Sequence, residues 1–148
     1  MNVSIGMIKK GSGESDFALA LKTYAKRIGN YAAVDIPVFS SEEALLQSLA
    51  RHRSRTMPYL VLLDSRGKQF TSEQFAGWLG KQRDDGRQVI LFAIGPADGW
   101  SEEARKRADL LLSLGSMTLP HELARIVLSE QIYRAFTILS GHPYHTGH

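Results

Sequence analysis

Three histidines lie at a spacing of three residues in the final stretch, SGHPYHTGH. Imidazole nitrogens bind zinc, nickel and copper, so His142, His145 and His148 are the first candidates for chemistry. Pro143 prevents a continuous helix through them, so this spacing does not bring the rings to one face. The chain has no cysteine, and the stretch holds no carboxylate to complete a ligand shell. We therefore expect no metal here, and the stretch is either a frayed tail or part of an active site.

A glycine-containing stretch, GSGESD at residues 11–16, is similar to the dinucleotide-binding fingerprint G-x-G-x-x-G. Asp16 replaces the third glycine, and its carboxylate would lie where a pyrophosphate binds the start of a helix. A flexible turn before a helix is the better interpretation, and a nicotinamide-dependent dehydrogenase is disfavoured. The sequence has no G-x-x-x-x-G-K-S/T motif, which excludes a P-loop nucleotide site.

The composition is that of an ordinary globular domain, with 148 residues, 43% hydrophobic and 22% charged. No apolar run reaches the roughly 20 residues of a membrane span, and the first residues lack signal-peptide features, which predicts a cytoplasmic protein. The lack of cysteine excludes disulfides and thiol catalysis. The net charge of +3 permits an anionic partner without requiring one.

Apolar runs rich in β-branched residues alternate with helix-like stretches, which predicts an α/β fold with a mostly parallel sheet and helices on both faces. Strands are predicted at residues 2–8, 31–39, 59–64, 89–95 and 110–114. Helices are predicted at residues 15–28, from Ser41, and at 72–83, 101–108 and 120–139, most of them opened by a serine followed by acids.

The last predicted helix has apolar residues over more than half of its circumference, which is more than one packing face requires. It is either a long core helix or the seam of a two-fold dimer, and its sequence leaves both interpretations open.

Three segments that follow predicted strands are rich in Gly, Ser, Thr or Pro, namely residues 62–72, 93–101 and 112–125. Open parallel sheets bind ligands at the carboxyl ends of their strands, so these segments are expected to wall one pocket. Its backbone amides and carbonyls would suit the adenine and ribose of a nucleotide-like cofactor. Turns of this composition also occur in α/β domains without a ligand, so the residues alone leave both interpretations open.

The runs LDSRGKQFTSEQFA, FAIGPADGWS and SMTLPHELARIVLSEQIYRAFTILSGHPYH, with YAKRI in the first predicted helix, resemble the RlmH-type ribosomal RNA large-subunit methyltransferases of the SPOUT superfamily. The similarity covers essentially the whole chain. It implies a single SPOUT methyltransferase domain over residues 1–148, a C-terminal trefoil knot and a homodimer. It also implies an S-adenosylmethionine-dependent enzyme that methylates N3 of a pseudouridine in 23S ribosomal RNA of the assembled ribosome.

The same resemblance implies the residues that bind S-adenosylmethionine, and all of them fall within the three strand-end segments. They are Leu63, Gly95, Leu114, Gly115, Ser116, Met117, Thr118 and Leu119. The chain departs from the family at Pro96, which replaces the second glycine of an I-G-G-x-x-G loop, and at Thr146, which replaces a basic residue after HPYH. If that loop needs a positive φ at position 96, the proline alters cofactor binding.

Tyr144 and His145 are the candidate catalytic residues. Methyl transfer from a sulfonium needs alignment rather than a metal, whereas N3 of the target carries a proton that a nearby group must accept. A histidine titrates near neutrality, and a tyrosine serves as a hydrogen-bond partner or a stacking face for the base. His121 is a weaker candidate because it follows Pro120 at a helix start. The tail is expected to reach the partner subunit's cofactor.

Basic clusters at Arg51, Arg53 and Arg55, and at Arg105, Lys106 and Arg107, are expected to contact RNA phosphates. The alternative to an enzyme is a non-catalytic ribosome- or RNA-binding protein that retained the SPOUT fold after the changes at Pro96 and the tail. Binding of S-adenosylmethionine separates the two.

Overall fold

The computed structural model describes residues 1–9, 11, 15–51 and 57–147. Within these residues six strands form one sheet, in the order β2-β1-β5-β4-β6 with β3 also paired to β1. Every pairing in it is parallel, which confirms the predicted α/β class. The strands are β1 (Asn2–Ile8), β2 (Ala33–Asp35), β3 (Val38–Phe39), β4 (Tyr59–Lys68), β5 (Val89–Ile94) and β6 (Leu110–Leu112).

Three of the described helices begin at a polar side-chain cap. Ser41 and Ser101 accept hydrogen bonds from the backbone N–H groups of Ala44 and Ala104, as the serine-then-acid pattern predicts. The third helix differs from its prediction, because Thr71 and not Ser72 is its cap, in a capping box with Gln74. The helices are α1 (Ala18–Ile28), α2 (Glu42–Ala50), α3 (Ser72–Asp84), α4 (Glu102–Arg107) and α5 (His121–Ser140), followed by a 3₁₀ turn (His145–Gly147).

Both faces of the sheet are covered by helices. Ile90, Phe92 and Ile94 of β5 pack into the core formed with α1, α3 and α5. Leu91 and Ala93, which alternate with them, pack into a second core with α2 and α4. This alternation of two apolar faces is the reason that β5 reads as a continuous apolar run. No helix in the described part of the chain is long and apolar enough to cross a membrane.

The strand predicted at residues 31–39 is two short strands, because Pro37 lies in its middle and has no N–H for the ladder. Arg125 of α5 fills the break. Its guanidinium donates to the carbonyls of Ile5, at 2.6 and 3.0 Å, and of Pro37, at 2.9 Å. Burial lowers the pKa of Arg125 to about 10, so the side chain stays charged at neutral pH. One buried arginine therefore ties α5 to the sheet.

β4 runs to Lys68, four residues beyond its predicted end at Asp64. Leu63 and Lys68 both pair with Leu112 of β6, so the residues between them bulge out of the ladder. Gly67 lies within this bulge against the backbone of Leu111, where an added Cβ would be 2.5 Å from the carbonyl carbon and oxygen. The bulge carries Asp64, Ser65 and Arg66 to the carboxyl edge of the sheet.

Candidate active site

The three strand-end segments line one open cavity of about 840 Å³ at the carboxyl edge of the sheet. This volume lies within the usual range for small-molecule sites, roughly 300–1,000 Å³. Its lining includes Leu63, Gly95 and the run from Leu114 to Leu119, so every residue that the resemblance implies for the cofactor faces it. The pocket expected from the strand-end segments is therefore present, and the role of each residue in it stays a prediction.

Trp100, which the sequence reasoning did not single out, holds the ends of β4 and β5 together. Its side chain is buried, and its indole N–H donates to the carbonyl of Leu63 at 3.0 Å. Gly95 lies on the indole ring, and a Cβ there would be 2.7 Å from Cε2. The glycine at position 95 is thus required by a neighbouring aromatic ring, and Trp100 fixes the position of Leu63 in the cavity wall.

Pro96 fits its loop without backbone strain. The Pro96 carbonyl accepts a hydrogen bond from the N–H of Gly99 at 2.9 Å, which closes a tight turn. The positive φ of this turn falls on Gly99, at +87°, whereas Pro96 has an ordinary negative φ. The departure from the family's second glycine is therefore compatible with the loop's geometry.

The segment after β6 forms the outer wall of the cavity. Gly115 has a φ of +135°, which side-chain-bearing residues rarely adopt, and an added Cβ would meet open space. Ser116, Met117 and Thr118 are exposed, and 86% of Met117 is accessible. A methionine so exposed at the rim of a cavity is a surface suited to a ligand or a second chain.

The charges at the rim are mixed. Asp64 accepts from Nε of Arg105 at 2.8 Å and from the backbone N–H of Arg66 at 2.9 Å, and its side chain is only 6% exposed. Arg105 also donates to Glu102 at 2.5 Å. The exposed Asp98 adds a further carboxylate to the lining. The charge of Asp64 is thus offset by Arg105 and Arg66, and the two carboxylates and two guanidiniums of the lining balance each other.

Tyr144 is held by the outer face of α5. Its hydroxyl donates to Oε2 of Glu130 at 2.7 Å, and its ring meets the edge of Tyr133 with centroids 4.8 Å apart. Arg134 donates to the same Glu130 carboxylate at 2.8 Å and lies 5.0 Å from the Tyr144 ring centroid. Burial and the hydrogen bond to Glu130 raise the pKa of Tyr144 to about 12, so the phenol remains protonated at neutral pH.

His145 has both ring nitrogens engaged. Arg134 lies 2.9 Å from Nδ1, and an arginine can only donate, so Nδ1 carries the lone pair. The neutral ring then has its proton on Nε2, which donates to Glu73 at 2.6 Å. This hydrogen bond holds the pKa of Glu73 below its usual value. The arrangement makes His145 a bridge between α5 and α3 rather than a free base.

The tail and the cavity are not together in one chain. Among the described residues, neither Tyr144 nor His145 lines the cavity, which lies beside His121 and Ala124 at the start of α5. Their partners Glu130 and Arg134 lie further along the helix, at about 1.5 Å of rise per residue. Within one chain, the predicted catalytic residues of the tail therefore do not reach the cavity.

The remaining candidate residues from the sequence lie in different places. His121 lines the cavity, and the Nδ1 atom of His142 accepts from the backbone N–H of Tyr144 at 3.1 Å. His148, Arg53, Arg55 and residues 12–14 of the GSGESD stretch lie outside the described residues. Over the part of the chain that the structure describes, no cluster of three or more histidines or acids is arranged to hold a metal ion.

Glu130 and Arg134, which contact the two candidate residues of the tail, were also not predicted from the sequence. They form an i,i+4 ion pair, with Arg134 raised in pKa by Glu130. The signal was present, because a glutamate four residues before an arginine stands out on a helix otherwise rich in apolar residues. Both side chains are largely shielded, which an ordinary surface pair would not be.

Comparisons with known proteins agree with this geometry. Residues 1–145 match the family model described as "Predicted SPOUT methyltransferase". The chain is 57% identical over 125 residues to Ribosomal RNA large subunit methyltransferase H of Koribacter versatilis, which covers 84% of this chain and 85% of that protein. It is 56% identical over 88 residues to the protein of the same name from Allorhizobium ampelinum, covering 60% of this chain and 55% of that one.

A solved structure shares the fold. The SpoU methyltransferase AviRb from Streptomyces viridochromogenes, in complex with the cofactor AdoMet, superposes with a TM-score of 0.50 at 16% sequence identity. The match covers 90% of this chain and 57% of that one. At this level of identity the likeness concerns the fold alone.

Proposed function

Since this chain belongs to the SPOUT methyltransferase family, we propose that it methylates ribosomal RNA with S-adenosylmethionine, at N3 of a pseudouridine in 23S RNA of the assembled ribosome. The name of the Koribacter relative supports large-subunit ribosomal RNA as the substrate. The nucleotide and the atom follow from the family resemblance. Because ribosomes are the partner, we place this activity in the cytoplasm.

The observation that carries the proposal is the single cavity lined by all three strand-end segments. Its size suits a nucleoside-based cofactor, and the apolar side chains of Leu63, Leu114 and Leu119 are interspersed with backbone amides and carbonyls. Gly95 and Gly115 keep side chains out of the space. These features fit S-adenosylmethionine, with Leu63, Gly95 and the run from Leu114 to Leu119 as the residues that would hold it.

When bound, S-adenosylmethionine supplies an electrophilic methyl group on a sulfonium. The protein's part is to hold N3 of the target in line with that group, to exclude water and to move one proton. We propose that a homodimer does this, with the cavity of one protomer facing the tail of the other. The exposed Met117 at the rim and the half-buried Leu123, Ile126 and Val127 on α5 support a second chain in this region.

The geometry supports Tyr144 and Glu130 as the groups that take the proton. A phenol with a pKa of about 12 does not act as a free base, but its hydroxyl can accept the N3 proton while its own proton moves to Glu130. Arg134 orients Glu130, and His145 anchors the tail between Arg134 and Glu73. Tyr144 is then the residue that touches the substrate, and His145 acts mainly by holding it in place.

Both core clusters share one sheet, which supports a single methyltransferase domain over residues 1–148. The trefoil knot stays a prediction from the resemblance.

The test is methyl transfer from radiolabelled S-adenosylmethionine to purified ribosomes that lack the modification, with mass spectrometry to map the methylated nucleotide. We expect saturable cofactor binding and one methyl group on a 23S pseudouridine. A chain that binds no S-adenosylmethionine at millimolar concentration would instead be the non-catalytic RNA-binding protein.

Gly115→Val tests the cavity wall. The position has a φ of +135°, so valine should distort the wall and abolish cofactor binding. Gly77→Val, on the open surface of α3, is the control and should leave binding intact.

A further inference from the structure

Helix α1 presents a cationic face beside the tail. It contains Lys22, Lys26 and Arg27, all exposed, and no acidic residue. Among the described residues no ion pair joins Lys22 or Lys26 to a carboxylate. Favourable interaction with the helix dipole explains cations in the last turn, such as Lys26 and Arg27, but not Lys22 in the middle of the helix. These three residues are called the α1 face below.

A series of ring contacts links the α1 face to Tyr144. The guanidinium carbon of Arg27 lies 5.4 Å from the ring centroid of Tyr24 and 5.7 Å from that of Tyr133. Tyr133 in turn contacts Tyr144 edge-on. Arg27, the last of the three cations, is therefore linked through Tyr133 to the proposed catalytic tyrosine.

We propose that the α1 face binds the phosphates of the RNA strand next to the methylated nucleotide, with Tyr24 as a stacking surface for an unpaired base. The inference rests on the proposed function, because it assumes that the target reaches Tyr144. Single-stranded RNA is held by cations along its backbone and by aromatic rings or arginine planes against its bases. The α1 face with Tyr24 offers both kinds of contact within one helix.

The cations of α4 are less suited to this role. Arg105 is committed to Asp64 and Glu102, and the first turn of α4 carries Glu102 and Glu103. Leu19 is exposed on the α1 face at 79%, but it is a lone apolar side chain rather than the broad apolar stripe of a membrane-binding helix. RNA is therefore favoured over a lipid surface.

The test uses a double variant that carries both Lys22→Gln and Lys26→Gln. Its binding to fluorescently labelled large ribosomal subunits is compared with that of the wild-type chain over a range of salt concentrations. Losing two phosphate contacts should weaken binding about tenfold near 0.1 M salt. It should also reduce the magnitude of the slope of log K against log salt concentration by about 1.4 to 1.8. The control, Lys81→Gln with Arg83→Gln, removes the same charge from exposed positions at the far end of α3 from Glu73. It should match the wild type.

Binding is measured without S-adenosylmethionine, so its result does not depend on methyl transfer. An unchanged salt slope in the α1 variant, or an equal loss in the control, overturns the proposal. The proposal is also overturned if the α1 double variant keeps its affinity for ribosomal subunits but loses binding to phosphatidylserine vesicles. That result would assign the α1 face to a membrane. Failure of the wild type to bind cofactor or transfer methyl would reject the proposed function and leave this measurement intact.

Discussion

The hydroxyl of Tyr144, the carboxylate of Glu130 and the guanidinium of Arg134 form one hydrogen-bonded group on α5. Arg134 and the phenol both donate to the Glu130 carboxylate, and burial together with the hydrogen bond to Glu130 raises the pKa of Tyr144 to about 12. This raised pKa means that the hydrogen bond stabilises the fold fully below the tyrosine's ordinary value of about 10 and is lost as pH rises through about 12.

Tyr144→Phe removes only the hydroxyl of this group. We expect kcat to fall at least about 100-fold, because proton transfer from N3 loses its acceptor, while the Kd for S-adenosylmethionine changes little. Single-turnover methyl transfer and calorimetric cofactor binding measure the two effects. The wild-type rate should show no decline from tyrosine ionisation up to about pH 10. A phenylalanine variant with a normal kcat would exclude Tyr144 from proton transfer.

Trp100→Phe tests the cavity wall. The change leaves the carbonyl of Leu63 without its donor, so we expect a loss of about 1–3 kcal/mol in the free energy of unfolding. We also expect S-adenosylmethionine to bind about five- to tenfold more weakly, equivalent to about 1–1.4 kcal/mol. Trp78→Phe is the control, since Trp78 packs with Phe75 and Phe92 away from the cavity. Equal cofactor affinity in both variants would contradict a role for Trp100 in the site.

At the scale of elements, the bulge in β4 and the length of α5 decide where the site lies. The bulge moves Asp64 out of the ladder and into the rim of the cavity. α5 begins at the cavity and continues well past it, so the same helix presents His121 to the cofactor site and Glu130 to the tail.

Gly67→Ala should damage the bulge at a position that does not itself line the cavity. Its Cβ would overlap the Leu111 backbone, so we expect a loss of about 2 kcal/mol in the free energy of unfolding, measured by urea denaturation. Gly77→Ala is the matched control in an open helical position and should be neutral or stabilising by up to about 1 kcal/mol. Equal stability of the two variants would mean that the contact between Gly67 and the backbone of β6 can relax.

At the scale of the whole molecule, the separation of tail and cavity within one chain leads us to expect that activity depends on the proposed homodimer. Tyr144→Phe damages only the tail, and Gly115→Val damages only the cavity. If the active site is composite, a heterodimer of the two has one intact site, built from one chain's cavity and the other chain's tail.

Mixing the two inactive variants in equal amounts, after dissociation and reassembly, should restore about a quarter of the wild-type rate, because half of the dimers are mixed and each has one good site. Each variant alone, put through the same treatment, is the control. A mixture with no more activity than its components would show that each chain uses its own tail, or that the chains do not pair.

The sequence by itself determined the class of fold, the caps of α2 and α4, and the strand-end segments that line the cavity. These features depend on local periodicity, on short-range hydrogen bonds and on the general rule that parallel strands gather ligands at their carboxyl ends. The family resemblance added the cofactor residues and the reaction. The prediction of one strand over residues 31–39 was wrong, because Pro37 interrupts it. The contacts of Arg125 with Pro37 and Ile5 could not be predicted either, because they span 88 and 120 residues of chain.

Only the tertiary structure decided which distant groups meet. No local pattern specifies the partners in three of these contacts, because they arise from how the sheet and helices pack. The contacts are those of Trp100 with Leu63, Gly67 with Leu111, and Tyr144 with Glu130. The same holds for the distance between tail and cavity. A sequence places candidate residues along a line, whereas the length and direction of α5 put the tail and the cavity at separate positions in space. A second chain is our proposal for how the two meet.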